Sequence, residues 1–149
     1  MSILLWKGFK NLIAALFSLV LLLGVGVGNS VKLSELEGRK TYYLYSASSQ
    51  AVIKSSIGFG DMAFLKGECV EVDGVFRSKA EENAFVDEVL ARYGAVVCFV
   101  EKVQGVVSYY AYSPELYAGV RLKGDEVNLH IAVSEGRAVV GSPIIFGGY

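Results

Sequence analysis

Three neighbouring carboxylates are the side chains whose types and spacing could carry out hydrolysis. Glu68, Glu71 and Asp73 fall within six consecutive positions of a strand-like run, and Glu101 lies in a later run of the same kind. Two carboxylates held about 5–10 Å apart can act together on a glycosidic bond. Because an acidic domain offers such pairs by chance, this spacing predicts a hydrolase acting near Glu68–Asp73 only as an alternative function.

Tyrosines form the best candidate binding surface. Six of the nine tyrosines lie in two strand-like runs, one at 41–46 and the other at 109–113. Strand alternation places Tyr43 and Tyr45 on one face of the first run, and Tyr110 and Tyr112 on one face of the second. An exposed face of this kind could contact a sugar, a peptide or a protein, since tyrosine buries area while keeping a polar tip. The alternative is that these tyrosines pack at sheet edges with their hydroxyls in water.

Other reactive side chains give no defined site. The single histidine, His130, lies on the polar side of an alternating run beside Asn128, which favours a solvent-facing ring over a base or pH sensor. With one histidine and no CxxC pair, we predict no metal, and no cofactor motif is present. Cys69 and Cys98 both lie in strand-like runs, where two small buried thiols are favoured over a disulfide.

An apolar segment near the amino terminus indicates export. Lys7 and Lys10 precede a run from Leu12 to Gly28 in which Ser18 is the only polar side chain. The run has 17 residues, more than the roughly 7–15 apolar residues of a cleaved signal and close to the ~20 of a membrane span. Two interpretations stay open for residues 1–28, a retained transmembrane anchor, which the length favours, or a signal peptide. Both place the rest of the chain outside the cytoplasm, and the anchor makes the membrane a partner through residues 12–28.

The remainder has the composition of one small exported domain. Residues 29–40 are polar and predict a tether or a short exposed helix, and residues 41–149 have the length of a single domain. Residues 30–149 carry 12 basic and 15 acidic side chains without a basic cluster, which argues against a nucleic-acid partner.

One helix is predicted, over residues 78–93. Ser78 and Glu81 have the spacing of a capping box, and Gly94 suits the position after the helix end. Apolar side chains between them recur at helical spacing and form one stripe, made of Phe85, Val86, Val89, Leu90 and Tyr93. The helix is therefore expected to cover one face of a sheet.

Short turns separate the predicted strands. Gln104-Gly105 predicts a hairpin, and a turn at 123–125 leads into one alternating strand, Glu126–Ser134. Pro143 is expected to open a last strand, Ile144–Phe146. The runs YYxYS and LKG each occur twice, at 42–46 and 65–67 and again at 109–113 and 122–124, which indicates either a duplication or common β-sheet vocabulary.

These elements predict an α+β fold. We expect an antiparallel sheet of about six to eight short strands with one main amphipathic helix, 78–93, on one face, preceded by an N-terminal hydrophobic membrane segment. The predicted function is a non-catalytic, membrane-anchored extracytoplasmic domain that contacts another envelope protein or wall material through its tyrosines. The alternatives are the hydrolase near Glu68–Asp73 and a secreted soluble binding module released by signal cleavage.

Overall fold

The chain divides into two units, residues 1–30 and residues 31–149. A computed structural model describes residues 8, 10–20, 31–45, 50–73 and 76–146. In the first unit, described residues 10–20 are helical (α1), and their large apolar side chains are all more than half exposed. None of the helices in the described parts of the chain has the length and apolar character needed to cross a bilayer. Residues 21–28, with the rest of the expected membrane segment and any cleavage position in it, lie outside the described residues.

The second unit is built on an antiparallel sheet, so the predicted α+β class is confirmed. Seven strands follow the order β2-β1-β3-β9-β8-β5-β4, and every neighbouring pair is antiparallel. A separate hairpin pairs β6 with β7. The strands are β1 Arg39–Leu44, β2 Val52–Lys54, β3 Leu65–Asp73, β4 Val96–Val103, β5 Val106–Tyr112, β6 Val120–Leu122, β7 Asp125–Val127, β8 Leu129–Ser134 and β9 Arg137–Ser142. A 3₁₀ helix, Phe59–Phe64, precedes β3, and helix α2, Lys79–Arg92, follows it.

Helix α2 begins and ends where its local sequence predicts. The Ser78 hydroxyl accepts a hydrogen bond from the Glu81 backbone N–H at 3.3 Å. The Glu81 carboxylate accepts from the Arg77 N–H at 2.7 Å, one residue before the capping-box position. Gly94 adopts a φ of +54° directly after the helix, a conformation that glycine tolerates best.

The main core lies between α2 and one face of the sheet. Residues paired across β3, β9 and β8, namely Val70, Val140 and Ile131, share this face. They belong to one buried cluster with Val86 and Val89 of α2. Each fully buried side chain of this size contributes about 1.5–3 kcal/mol to stability, so the helix is held mainly by its apolar stripe.

Residues 31–38 join the same core, so the expected tether over 29–40 is wrong for residues 31–40. Leu33 and Leu36 are buried in the cluster under α2, and residues 39–40 begin β1. Leu33 and Leu36 fix this segment although most of their neighbours are polar. The prediction failed because it used the average polarity of the segment, which hides two individual apolar side chains.

The predicted strand Glu126–Ser134 is divided at Asn128. The Asn128 side chain accepts from the Ser113 N–H at 2.7 Å and donates to the carbonyls of Ser113 at 2.6 Å and Tyr117 at 3.0 Å. These hydrogen bonds hold the chain where it leaves the small hairpin and enters the main sheet.

The predicted strand Ile144–Phe146 is also wrong, because this segment is irregular. Proline has no N–H to donate to a ladder, and after Pro143 the chain crosses the sheet face opposite α2. It passes Gly141 and Gly67, where an added Cβ would lie 2.8 Å from the Ile144 carbonyl carbon and 2.5 Å from Phe146 Cε2. The two glycines thus leave room for residues 143–146, which we call the C-terminal strap.

Topology also separates the cysteines and the repeated runs. Cys69 lies on β3 and Cys98 on β4, with three strands between them, about 19 Å at normal strand spacing, and both thiols are free.

Lys66-Gly67 lies inside β3, whereas Lys123-Gly124 forms the β6–β7 turn. The two LKG runs therefore occupy different structural positions.

Candidate functional site

Three rings stack in a row across the sheet face opposite α2. Strand pairing puts Phe99 of β4 beside Tyr110 of β5, and Tyr110 beside His130 of β8. Ring centroids are 4.5 Å apart for Phe99 and Tyr110 and 4.3 Å apart for Tyr110 and His130, with interplanar angles of 20° and 19°. We call these three residues the ring row. Their faces contact one another, so the row presents ring edges to its surroundings.

A charged pair closes the β4 end of the ring row. Lys123, in the β6–β7 turn, places its ammonium 5.0 Å from the Phe99 ring centroid and forms an ion pair with Glu101. The hydroxyl of Tyr110 also donates a hydrogen bond to the Glu101 carboxylate. These contacts hold the pKa of Glu101 below its ordinary value, and the contact with Lys123 has the largest effect. The small hairpin is therefore fastened over this end of the face.

His130 closes the other end, and the expectation of a solvent-facing histidine is wrong. The ring is buried, and its Nδ1 accepts a hydrogen bond from the Ile145 N–H of the C-terminal strap at 3.4 Å. Burial lowers the pKa of His130 to about 4, although the charge of Glu101 acts in the opposite direction. The imidazole is therefore neutral at neutral pH and cannot sense pH between 6 and 8.

The C-terminal strap continues this aromatic surface toward β1. Phe146 lies with its ring centroid 5.0 Å from that of Tyr43, and the Lys66 ammonium is 5.3 Å from the Phe146 ring. Tyr43 belongs to the same sheet face as the ring row, as the pairing through Cys69, Gly141 and His130 shows.

The four predicted tyrosines are not gathered in one place. Tyr43 and Tyr110 share a sheet face but are half-buried by neighbouring rings, and β3, β9 and β8 separate their strands. Tyr45 and Tyr112 are 63% and 39% exposed; Tyr45 directly follows β1, and Tyr112 is the last residue of β5. The pair Tyr43 and Tyr45 therefore lies apart from the pair Tyr110 and Tyr112.

A second row lies beside the ring row on the same face. Strand pairing aligns Ser108, Ala132 and Val139 across β5, β8 and β9. Glu101 precedes this row on β4 and Glu71 follows it on β3. A cavity of about 10 Å³ adjoins Ala132 and Val139 of this row, enough for roughly one water molecule. This cavity is too small for a substrate.

Glu68 and Glu71 of β3 point to opposite faces and do not form an acid–base pair. Glu68 lies on the core side, where its Oε1 accepts from the N–H groups of Lys32 at 2.5 Å and Leu33 at 2.7 Å and from the Tyr117 hydroxyl at 3.2 Å. Burial raises the pKa of Glu68 despite these donors. Glu68 thus fastens residues 32–33 to the sheet.

Glu71 lies on the ring-row side, where two guanidinium groups hold it. Arg39 and Arg137 both form ion pairs with its carboxylate and lower the pKa of Glu71. This geometry gives no support to hydrolysis by Glu68 and Glu71 together. Within the described ranges, no group of three metal-ligating side chains occurs either.

Only one of the two ring pairs in the ring row, Phe99 with Tyr110, could be predicted from the sequence. The two-residue turn Gln104-Gly105 fixes the pairing of β4 with β5 and so implies that Phe99 faces Tyr110. The addition of His130 depends on pairing between β5 and β8 across an inserted hairpin, which has no local signal. The chain matches no protein-family model, and no curated protein or solved structure is significantly similar to it.

Proposed function

We propose that this chain is a non-catalytic binding domain, held at the extracytoplasmic face of a membrane by residues 12–28. In this proposal the sheet face that carries the ring row contacts another envelope protein or wall material. The ring row is the observation that carries the proposal. Phe99, Tyr110 and His130 form a defined stack on the face opposite the core, and they are not among the residues that pack α2 against the sheet.

The state of the polar groups on this face favours binding over catalysis. Glu101 and Glu71 are each held in ion pairs, and His130 is neutral and buried. A general base needs a free lone pair within reach of substrate and a pKa near the working pH, and none of these three groups combines the two. Tyrosine and arginine are enriched where proteins contact one another, and this face carries both, as Tyr110 and Arg39.

The orientation of the rings narrows the class of partner. Sugar-binding aromatic platforms offer ring faces, whereas the faces of Tyr110 are occupied by Phe99 on one side and His130 on the other. Ring edges and hydroxyls suit a protein or peptide surface better. A protein partner is therefore favoured over a bare glycan strand.

Exposure of α1 supports membrane attachment. Its large apolar side chains, Leu12, Ile13, Leu16, Phe17, Leu19 and Val20, are each more than half exposed to their surroundings. A helix that is apolar on all sides is typical of a protein core or a lipid bilayer, and the apolar sequence continues to Gly28. Lipid would cover these side chains without further protein.

Site-directed photo-crosslinking in the native cells tests the binding face. A photoreactive phenylalanine analogue at Tyr112, exposed beside the ring row, is expected to capture one defined envelope protein. The matched control carries the analogue at Asp87, which is exposed on α2. Equal capture from both positions, or none from position 112, would refute the assignment of this face.

Extraction and mass measurement test the membrane attachment separately. A retained anchor keeps the full-length chain in the membrane pellet after alkaline carbonate washing. A shortened chain in the soluble fraction, with a new amino terminus near Gly28, would instead identify the secreted binding module.

A further inference from the structure

The edge of the sheet at β2 exposes a concentrated set of large apolar side chains. Five residues between positions 45 and 64 are between 45% and 71% exposed, namely Tyr45, Val52, Ile53, Phe59 and Phe64. We call them the β2-edge patch. Scattered apolar residues are normal on protein surfaces, but a contiguous group of this size usually marks an interaction site.

Hydrogen bonds and an ion pair make the patch one continuous structure. Ile53 is in register with Tyr43 of β1, and the Tyr45 N–H donates to the Phe64 carbonyl at 2.7 Å. The Lys54 ammonium binds the Asp61 carboxylate at 2.6 Å and so joins β2 to the 3₁₀ helix. These contacts hold β2 and the 3₁₀ helix together at one edge of the sheet, from which Val52 and Ile53 point to opposite sides.

Basic side chains lie at and near this edge. Lys54 of β2 pairs with Asp61, and Arg39 of β1 pairs with Glu71. Lys66 lies beside the patch, with its ammonium 5.6 Å from the Tyr45 ring centroid. Aromatic and aliphatic side chains next to a lysine are typical of a surface that enters the headgroup region of a bilayer.

The sequence between the proposed anchor and the folded domain is short. In the proposed function residues 12–28 lie in the membrane, so only Asn29 and Ser30 separate them from Val31, where the folded unit begins. Such a short connection raises the effective concentration of the patch at the lipid surface. A surface too weak to bind lipid alone can therefore be held there.

We propose that the β2-edge patch inserts into the headgroup region of an anionic lipid bilayer and orients the domain on it. This inference rests on the membrane attachment in the proposed function. It assigns Tyr45 to lipid and leaves Tyr110 and Tyr112 on the face that contacts a partner. Pairing with a second copy is disfavoured at this edge because β2 has only three residues, whereas the opposite edge, β4, has eight.

Fluorescence quenching by brominated lipids tests the proposal in the full chain. Trp6 is the only native tryptophan, so Trp6→Phe gives a background in which Phe59→Trp reports on the patch. The matched control is Val103→Trp in the same background, because Val103 is 62% exposed on the opposite edge. Both variants are reconstituted in vesicles of phosphatidylcholine and phosphatidylglycerol with bromine on the acyl chains.

We expect the introduced indole at position 59 to be quenched about twofold or more, and the one at position 103 to be unaffected. Vesicles of phosphatidylcholine alone should reduce this contrast. Equal quenching at both positions, no quenching at position 59, or cross-linking between copies through this edge would overturn the inference. Failure of the full chain to remain with the vesicles after carbonate washing would instead overturn the membrane attachment itself.

Discussion

Replacement of Gly67 by alanine tests whether the C-terminal strap is packed on the sheet. A Cβ at this position would lie 2.5 Å from Phe146 Cε2 and 2.7 Å from the Ser142 carbonyl oxygen. Phe146 can move aside, but the Ser142 carbonyl belongs to β9, which pairs with β3. Overpacking of this kind costs about 1–3 kcal/mol, so we expect Gly67→Ala to lower the free energy of unfolding by about 2 kcal/mol.

Urea unfolding of the full chain in mild detergent, followed by circular dichroism, measures this cost. With a denaturant slope of about 1–3 kcal/mol per molar urea, the midpoint should fall by roughly 1 M. Gly60→Ala is the matched control, because no atom lies within 4 Å of its ideal Cβ, and its midpoint should not fall.

A double-mutant cycle then separates the strap from the rest of β3. In a Phe146→Ala background the contact with Cε2 is absent, so Gly67→Ala should cost less there by at least about 0.5 kcal/mol. Full additivity, or a Gly67→Ala midpoint equal to that of Gly60→Ala, would refute the packing of the strap at this position.

Three further predictions concern titratable groups and use urea unfolding at several pH values. The pKa of His130 is lowered to about 4, so the unfolded chain binds its proton first, and stability falls by up to roughly 3 kcal/mol as the pH drops from about 6.5 to 4. His130→Phe keeps the ring stack and should flatten this loss; an unchanged acid limb would exclude a buried, neutral histidine. The pKa of Glu68 is raised by burial, so its contribution to stability falls as the pH rises above about 4.5. The free energy of unfolding of Glu68→Gln, measured relative to that of the unchanged chain, should therefore increase with pH. The opposite trend would show that Glu68 gains more from its donors than it loses by burial. The pKa of Glu71 is lowered by Arg39 and Arg137, so its contribution is present at neutral pH and is lost below about 4.5. Glu71→Gln should cost at most about 1 kcal/mol at pH 7 and nothing in about 1 M salt, where such pairs are screened; a cost that persists in salt would contradict this.

Elements whose signals are local were predictable from the sequence. The bounds of α2 depend on Ser78, Glu81 and Gly94, which act within one turn of the helix ends. The hairpin turns likewise depend on adjacent residues, as at Gln104-Gly105, where both residues have positive φ. In each case the determining contacts join residues fewer than five positions apart.

Features set by distant strands were not predictable from alternation. Alternation in 127–134 indicated one buried and one exposed face, but both faces of β8 are covered over Leu129–Val133. One face packs under α2, and on the other His130 meets the strap at Ile145. A period of two is also compatible with burial on both sides when the second cover is itself far away in sequence.

The composition of the two sheet faces argues for the division of roles proposed above. One face is closed by α2 and holds aliphatic side chains such as Val70, Val140 and Ile131, which need a cover to be stable in water. On the other face the cover is partial, since the small hairpin reaches Phe99 and the strap reaches His130. Between and beside these covers the face presents paired charges and small side chains, which are stable in water without a partner. Such a surface suits reversible contact with a protein, whereas the apolar β2 edge gains most from lipid.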